Sequence, residues 1–256
     1  PFRHSLPVLV TVFPLADITF WIEMLTRPRS SLTAGEKRML QMFQFTVWQK
    51  PFEECGFASL WDGILEVRKN PTLCAELLEL LQYNFERIDF IDERVDIGFD
   101  CPLDLHCNYT RGQILVALGF LKPSTVREGV KYLPDQKIDI AFVTLNKSDK
   151  DYSPSTMYQD YSVGEEFFHW QSQSTTSDNS PTGQRYIHHR EKGTLFLLFV
   201  RENKTDRISG GSGIYTFLGK ANYVQHEGSR PMSILWKLER PIPARLQKKT
   251  NELIGG

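Results

Sequence analysis

The chain has 256 residues, 41% of them apolar and 24% charged, with a net charge of -1. This is the balance of an ordinary soluble globular protein, with material for one large domain or two modest ones. Four cysteines, all between Cys55 and Cys107, do not make a disulfide framework, and a reducing cytoplasmic setting is expected.

Leu6 to Phe13 is apolar but short and broken by Pro7 and Pro14, so it is neither a signal peptide nor a membrane span. The start at Pro1, without a methionine, points to a fragment of a longer protein. Residues 1–130 then read as helices. Leu15 to Leu25 is a short apolar helix closed by Pro28, and Ala34 to Gln49 carries Met39, Leu40, Met42, Phe43 and Val47 at helical spacing. Phe57 to Val67 follows. Asn70-Pro71 supplies an N-cap and a first-turn proline for Leu73 to Phe85. Tyr109 to Leu118 is capped before by Asn108 or Thr110 and after by Gly119.

Near Tyr132 the period changes to that of strands. Lys137 to Leu145, Glu166 to Gln173, Gln184 to His189, Thr194 to Val200, Ile214 to Leu218, Asn222 to Gln225 and Met232 to Leu238 are short runs separated by turn clusters. Thr194 to Val200 is almost wholly apolar, as a central strand buried on both faces must be. The expected class is therefore α+β, a helical bundle (1–130) followed by a compact β-barrel (131–256).

Charge divides mildly between the two parts. Residues 131–256 hold 17 Lys and Arg against 14 Asp and Glu, and residues 1–130 hold 13 against 17. A polyanion would therefore favour the second part. No Walker motif, paired-carboxylate spacing or nucleophile elbow occurs, so the chain does not read as an enzyme by itself, and no cofactor is implied. Cys101 to Cys107 fits no zinc spacing. His188 and His189, adjacent on an expected strand, point to opposite faces and cannot serve one site.

The densest chemistry lies in Tyr158 to Gln173, where Tyr158, Asp160 and Tyr161 precede a strand containing Phe168 and Trp170. Aromatic rings beside a carboxylate suit a flat polar heterocycle: the rings take its π-faces and the carboxylate accepts from an exocyclic amine. The same rings also suit ordinary core and rim packing.

Tyr158-x-Asp160-Tyr161, a glycine, then Phe167-Phe168-x-Trp170 resembles the pocket segment of SET- and RING-associated (SRA) domains, which flip methylated cytosine. The resemblance implies that Tyr158 and Trp170, twelve residues apart, sandwich the extruded base. The edge-reading aspartate matches either Asp160 or Tyr161, and Trp170 stands where a tyrosine is usual. A wider likeness is carried by Leu105-His106-x-x-Tyr109-Thr110-Arg111, by Ile187 to Arg201 and by Phe217 to Ser233. These resemble the C-terminal region of bacterial proteins that begin with a phospholipase D-like nuclease and a DEAD-box helicase. Those are type IV, modification-dependent restriction enzymes, in which the region is a helical coupler plus an SRA-like (PUA-like) 5-methylcytosine reader.

The resemblance implies a cytoplasmic bacterial module. Its partners would be duplex DNA with modified cytosine and the helicase and nuclease parts of the same polypeptide. Backbone and loop contacts are expected from Arg185, His188, Arg190, Lys220, Asn222, Ser229, Arg230 and Lys237. The competing expectation is a helical-barrel module that binds protein or structured RNA, its aromatic cluster being core.

Overall fold

The structure is a computed structural model that describes residues 14–29, 31–88, 93–146, 160–205, 212–242, 244 and 247. The chain divides into two compact units, Pro1–Val126 and Arg127–Gly256.

The first unit is helical. α1 (Leu15–Thr26), α2 (Ala34–Trp48), α3 (Leu60–Arg68), α4 (Pro71–Phe85) and α5 (Arg111–Ala117) follow the expected order, with a two-residue strand, β1 (Asn108–Tyr109), before α5. Their starts are set by side chains. Thr33 and Glu36 form a capping box on α2, and Thr110 and Gln113 form one on α5. Asn70 accepts from the backbone N–H of Leu73 with Pro71 in the first turn of α4. α3 begins three residues later than its apolar pattern, because Asp62 accepts from the backbone N–H of Ser59 and sets the start there. Trp21, Met24, Met42, Phe43, Leu81 and Ile114 are fully buried in this unit. Two hydrogen bonds register its helices: Trp21 Nε1 donates to the Met39 carbonyl at 2.9 Å, and Gln113 Nε2 donates to Thr46 Oγ1 at 2.7 Å.

The second unit is built on β2 (Val130–Leu133), β3 (Ile138–Asn146), β4 (Tyr161–Val163), β5 (Phe167–Gln171), β6 (Leu195–Asn203), β7 (Tyr215–Glu227) and β8 (Ser233–Leu238). They pair in the order β2-β3-β6-β7-β8-β5-β4, antiparallel except for β3 with β6. β6 is the central strand that its apolar run demands: Phe196 to Phe199 are at most 1% exposed, so both faces are buried.

Closure into a barrel is not found. Among the described residues no pairing joins β2 to β4, and the two end strands are only four and three residues long. The sheet encloses a core by bending instead. β7 spans 13 residues; Thr216 to Lys220 pair with β6, and Ala221 to Glu227 pair with β8. Gly219, at φ +88°, sits at the changeover, in a backbone conformation that side chains resist. The bend brings Phe196 of β6 onto Trp236 of β8, stacked at 3.8 Å and 14°, although β7 lies between their strands in the sheet.

A second expectation also fails. Gln184 to His189 is not a strand; α6 (Pro181–Ile187) occupies most of it. Ser180 Oγ accepts from the backbone N–H of Gly183 and Pro181 takes the first helical position, an N-terminal signal that outweighs the short apolar pattern. His188 and His189 therefore follow a helix end, and the argument from strand faces does not apply to them.

Candidate modified-base site

β4 and β5 form a narrow antiparallel ribbon in which Tyr161 faces His169, Ser162 faces Phe168 and Val163 faces Phe167. Side chains alternate between the two faces of such a ribbon. The five expected pocket residues are therefore divided. Phe168 and Trp170 turn inward to the core and are 1% and 4% exposed. Tyr161 is on the other face, where its ring stacks on His169 at 4.6 Å and 16°. Tyr161 therefore lies on the opposite face of the ribbon from Trp170. Tyr158 lies outside the described residues.

Asp160 is the last described residue before the ladder. Continuing the register by one residue places it opposite Trp170. Its Oδ1 accepts from the backbone N–H of Gln171 at 2.9 Å, so the carboxylate closes the end of the β4–β5 pairing.

Trp170 is packed rather than open. Tyr186 meets it edge-on at 5.5 Å and 81°, and Phe196 and Trp236 are tilted against it at 60° and 54°. No described ring lies parallel to the indole. A base that stacks on it has to displace what covers that face, since only 4% of the residue is exposed.

The expected backbone contacts fall into two groups. Arg185 is committed to the protein: Nε and Nη2 meet Asp139 Oδ2 and Oδ1 at 2.6 and 2.9 Å, and its guanidinium lies 3.8 Å from the centre of the Tyr132 ring. Burial holds the Asp139 carboxyl above its usual range, an effect that the guanidinium only partly offsets. The remaining residues are nearer the surface. His188 Nδ1 lies 3.1 Å from Glu191, Lys220 is 3.0 Å from Glu239, and Lys237 is 3.4 Å from Glu166. Arg190 Nε donates to Asn222 Oδ1 at 3.0 Å. Ser229 donates to Asp178, and the Arg230 backbone N–H donates to the Thr176 carbonyl, which pins the β7–β8 turn to the segment before α6. Arg230 is exposed and takes φ +62°, a left-handed conformation unusual for an arginine.

Sequence weighed His189 only beside His188 and did not single out Ser162 or Trp236. His189 is buried; its Nδ1 faces the Thr194 carbonyl at 3.1 Å, and its Nε2 accepts from the Tyr223 N–H at 3.1 Å. These two bonds fix the neutral tautomer with the proton on Nδ1. Burial lowers its pKa and raises that of Tyr186. Ser162 and Trp236 lie on the inward face beside Phe168. The period-two pattern of β5 and β8 would have found them, had Tyr161 to Val163 been read as a strand rather than a loop.

Among the described residues no cluster of His, Cys, Asp and Glu could hold a metal ion, and no helix is long and apolar enough to cross a membrane. A comparison with curated proteins finds no match. The family described as domain of unknown function (DUF3427), known in helicase-associated proteins, matches residues 103–249, which is more than half of the chain and includes all the described strands from β2 to β8. With that coverage, the chain belongs to the DUF3427 family.

Proposed function

We propose that the Arg127–Gly256 unit reads 5-methylcytosine or 5-hydroxymethylcytosine in duplex DNA by taking the extruded base against Trp170. The unit would be the specificity region of a modification-dependent restriction enzyme whose helicase and nuclease parts lie elsewhere in the polypeptide. The helical unit would couple the two. On this reading the chain is a reader, not a catalyst.

The observation that carries the reading is the juxtaposition of Asp160 and Trp170 at one end of the β4–β5 ribbon. The carboxylate is held by the Gln171 N–H, and the indole has edge and tilted neighbours but no parallel one among the described rings. A carboxylate prefers cytosine by accepting from its N4 amine. Extrusion costs a few kcal/mol, and stacking returns about 1–3 kcal/mol per base. Burying a methyl adds about 0.8 kcal/mol, a preference of a few-fold over the plain base. Affinity itself would come from cations that meet the DNA backbone, with Arg190, Lys220, Arg230 and Lys237 at or near the surface.

The burial of Trp170 favours a second reading, in which the cluster is core and the unit binds protein or structured RNA. Titration of the full chain with duplexes carrying cytosine or 5-methylcytosine, at two salt concentrations, separates the two. The base reader weakens steeply with salt on both duplexes while the ratio between them stays nearly constant. Equal affinity for both at each salt concentration excludes it.

A further inference from the structure

The inward face beside Trp170 carries two polar atoms that the described residues do not satisfy. Ser162 Oγ and Trp236 Nε1 are buried and have no hydrogen-bond partner among the described residues. They belong to one row across three strands, since Ser162 faces Phe168 and Phe168 faces Trp236. Ser162 is 4% exposed and Trp236 fully buried. Native interiors pair the large majority of such groups, because a buried donor or acceptor left alone costs stability. The two stand in one row of a packed core that includes Phe168, Trp170 and Tyr186, where a ligand's polar atoms would give them partners.

From this row we infer that Ser162 is a specificity residue for the C5 substituent, and that the site takes 5-hydroxymethylcytosine in preference to 5-methylcytosine. The inference rests on the base-reading function proposed above and deepens it. If Asp160 accepts from the N4 amine, the C5 substituent projects from the adjacent ring atom. On β4 the next side chain of the inward face is Ser162, two residues from Asp160 and about 7 Å along the strand. A methyl placed there leaves the serine hydroxyl unpaired. A hydroxymethyl gives it a partner, one hydroxyl donating and the other accepting. Trp236 Nε1, in the same row, is a further donor for an oxygen acceptor of the base.

The test is competitive binding of the full chain to three duplexes that differ at one position, bearing cytosine, 5-methylcytosine or 5-hydroxymethylcytosine. It is run with the wild type and with Ser162→Ala, and the thermal midpoint of each is measured. One hydrogen bond gained in a buried site corresponds to about a fivefold preference for the hydroxymethyl base over the methyl base. Ser162→Ala should bring the two within about twofold, while its midpoint stays level or rises, because an unpaired hydroxyl has been removed. A preference unchanged in the variant overturns the assignment. So does a lowered midpoint with no change in preference, which would show the hydroxyl to be satisfied by a structural water. If the wild type prefers both modified bases over cytosine but equally, the assignment fails and the base reader stands. If it binds all three alike, the base reader fails and this assignment with it.

Discussion

Removing the Arg185 guanidinium tests whether this residue serves the fold or the ligand. Sequence placed Arg185 among the DNA-backbone contacts, whereas the structure pairs it with Asp139 in a two-point contact at 2.6 and 2.9 Å beneath the Tyr132 ring. The Asp139 side chain is 1% exposed and that of Arg185 17%, so solvent screens the pair little. Breaking a buried pair by deleting one partner costs about 3–5 kcal/mol, because it strands the other charge. For a chain of this size each kcal/mol is worth about 2–4 °C, so Arg185→Met should lower the thermal midpoint by about 10 °C. The double variant Arg185→Met, Asp139→Asn should recover part of that loss, since no buried charge remains. The pH dependence has a definite sign. Burial already holds the Asp139 pKa above its unfolded value, and without the guanidinium that partly offsets burial it rises further. Stability then holds while the carboxyl is protonated and falls as pH rises through the folded pKa. The gap from wild type should therefore be wider at pH 8 than at pH 5. The assay is thermal unfolding followed by circular dichroism, with DNA affinity measured on the folded variant. A variant with a wild-type midpoint and a large loss of DNA affinity would refute the reasoning and return Arg185 to the ligand.

Three further outcomes are expected. Asp160→Asn, which retains a side-chain oxygen to accept from the Gln171 N–H, should keep the thermal midpoint and non-specific DNA affinity but erase discrimination between modified and plain cytosine in a competition titration. His189→Ala should cost about 1–3 kcal/mol in denaturant unfolding at pH 7.5, because it leaves the Tyr223 N–H without its acceptor. Burial holds the folded-state pKa of His189 below the unfolded value of about 6.5, so its contribution is present above that pH and is lost as pH falls through the folded pKa; the variant should lack that acid-side decline. Residues 127–256 alone, once shown by circular dichroism to be folded, should bind modified duplex within about tenfold of the whole chain. A hundredfold loss would mean that the acidic helical unit supplies DNA contacts.

The helices were legible because local chemistry decides where they begin: Thr33 with Glu36, Asn70 with Pro71, and Thr110 with Gln113 are signals in the chain itself. The apolar run of β6 likewise announced its central place. Gln184 to His189 reads as a strand when taken alone, but the Ser180-Pro181 helix start just before it decides the segment. The barrel was expected from the number and spacing of the strands, but closure depends on the lengths of β2 and β4 and on the bend in β7, none of which periodicity reports. At the site, composition alone grouped Asp160, Tyr161, Phe168 and Trp170. Only the register of β4 against β5 separates them, sending Tyr161 to His169 and leaving Asp160 with Trp170. The roles of Arg185 and His189 are long-range, set by partners 46 and 34 residues away, and no local signal carried them.

The most direct test of base extrusion is the fluorescence of 2-aminopurine placed next to the modified cytosine in a duplex, titrated with the full chain while binding is followed by anisotropy. Extruding the cytosine removes a stacking neighbour from the probe, so its emission should rise several-fold as the complex forms, and Trp170→Ala should weaken both the rise and the binding. Saturable binding with unchanged 2-aminopurine emission, in wild type and variant alike, would show that the base stays in the helix and would contradict the account.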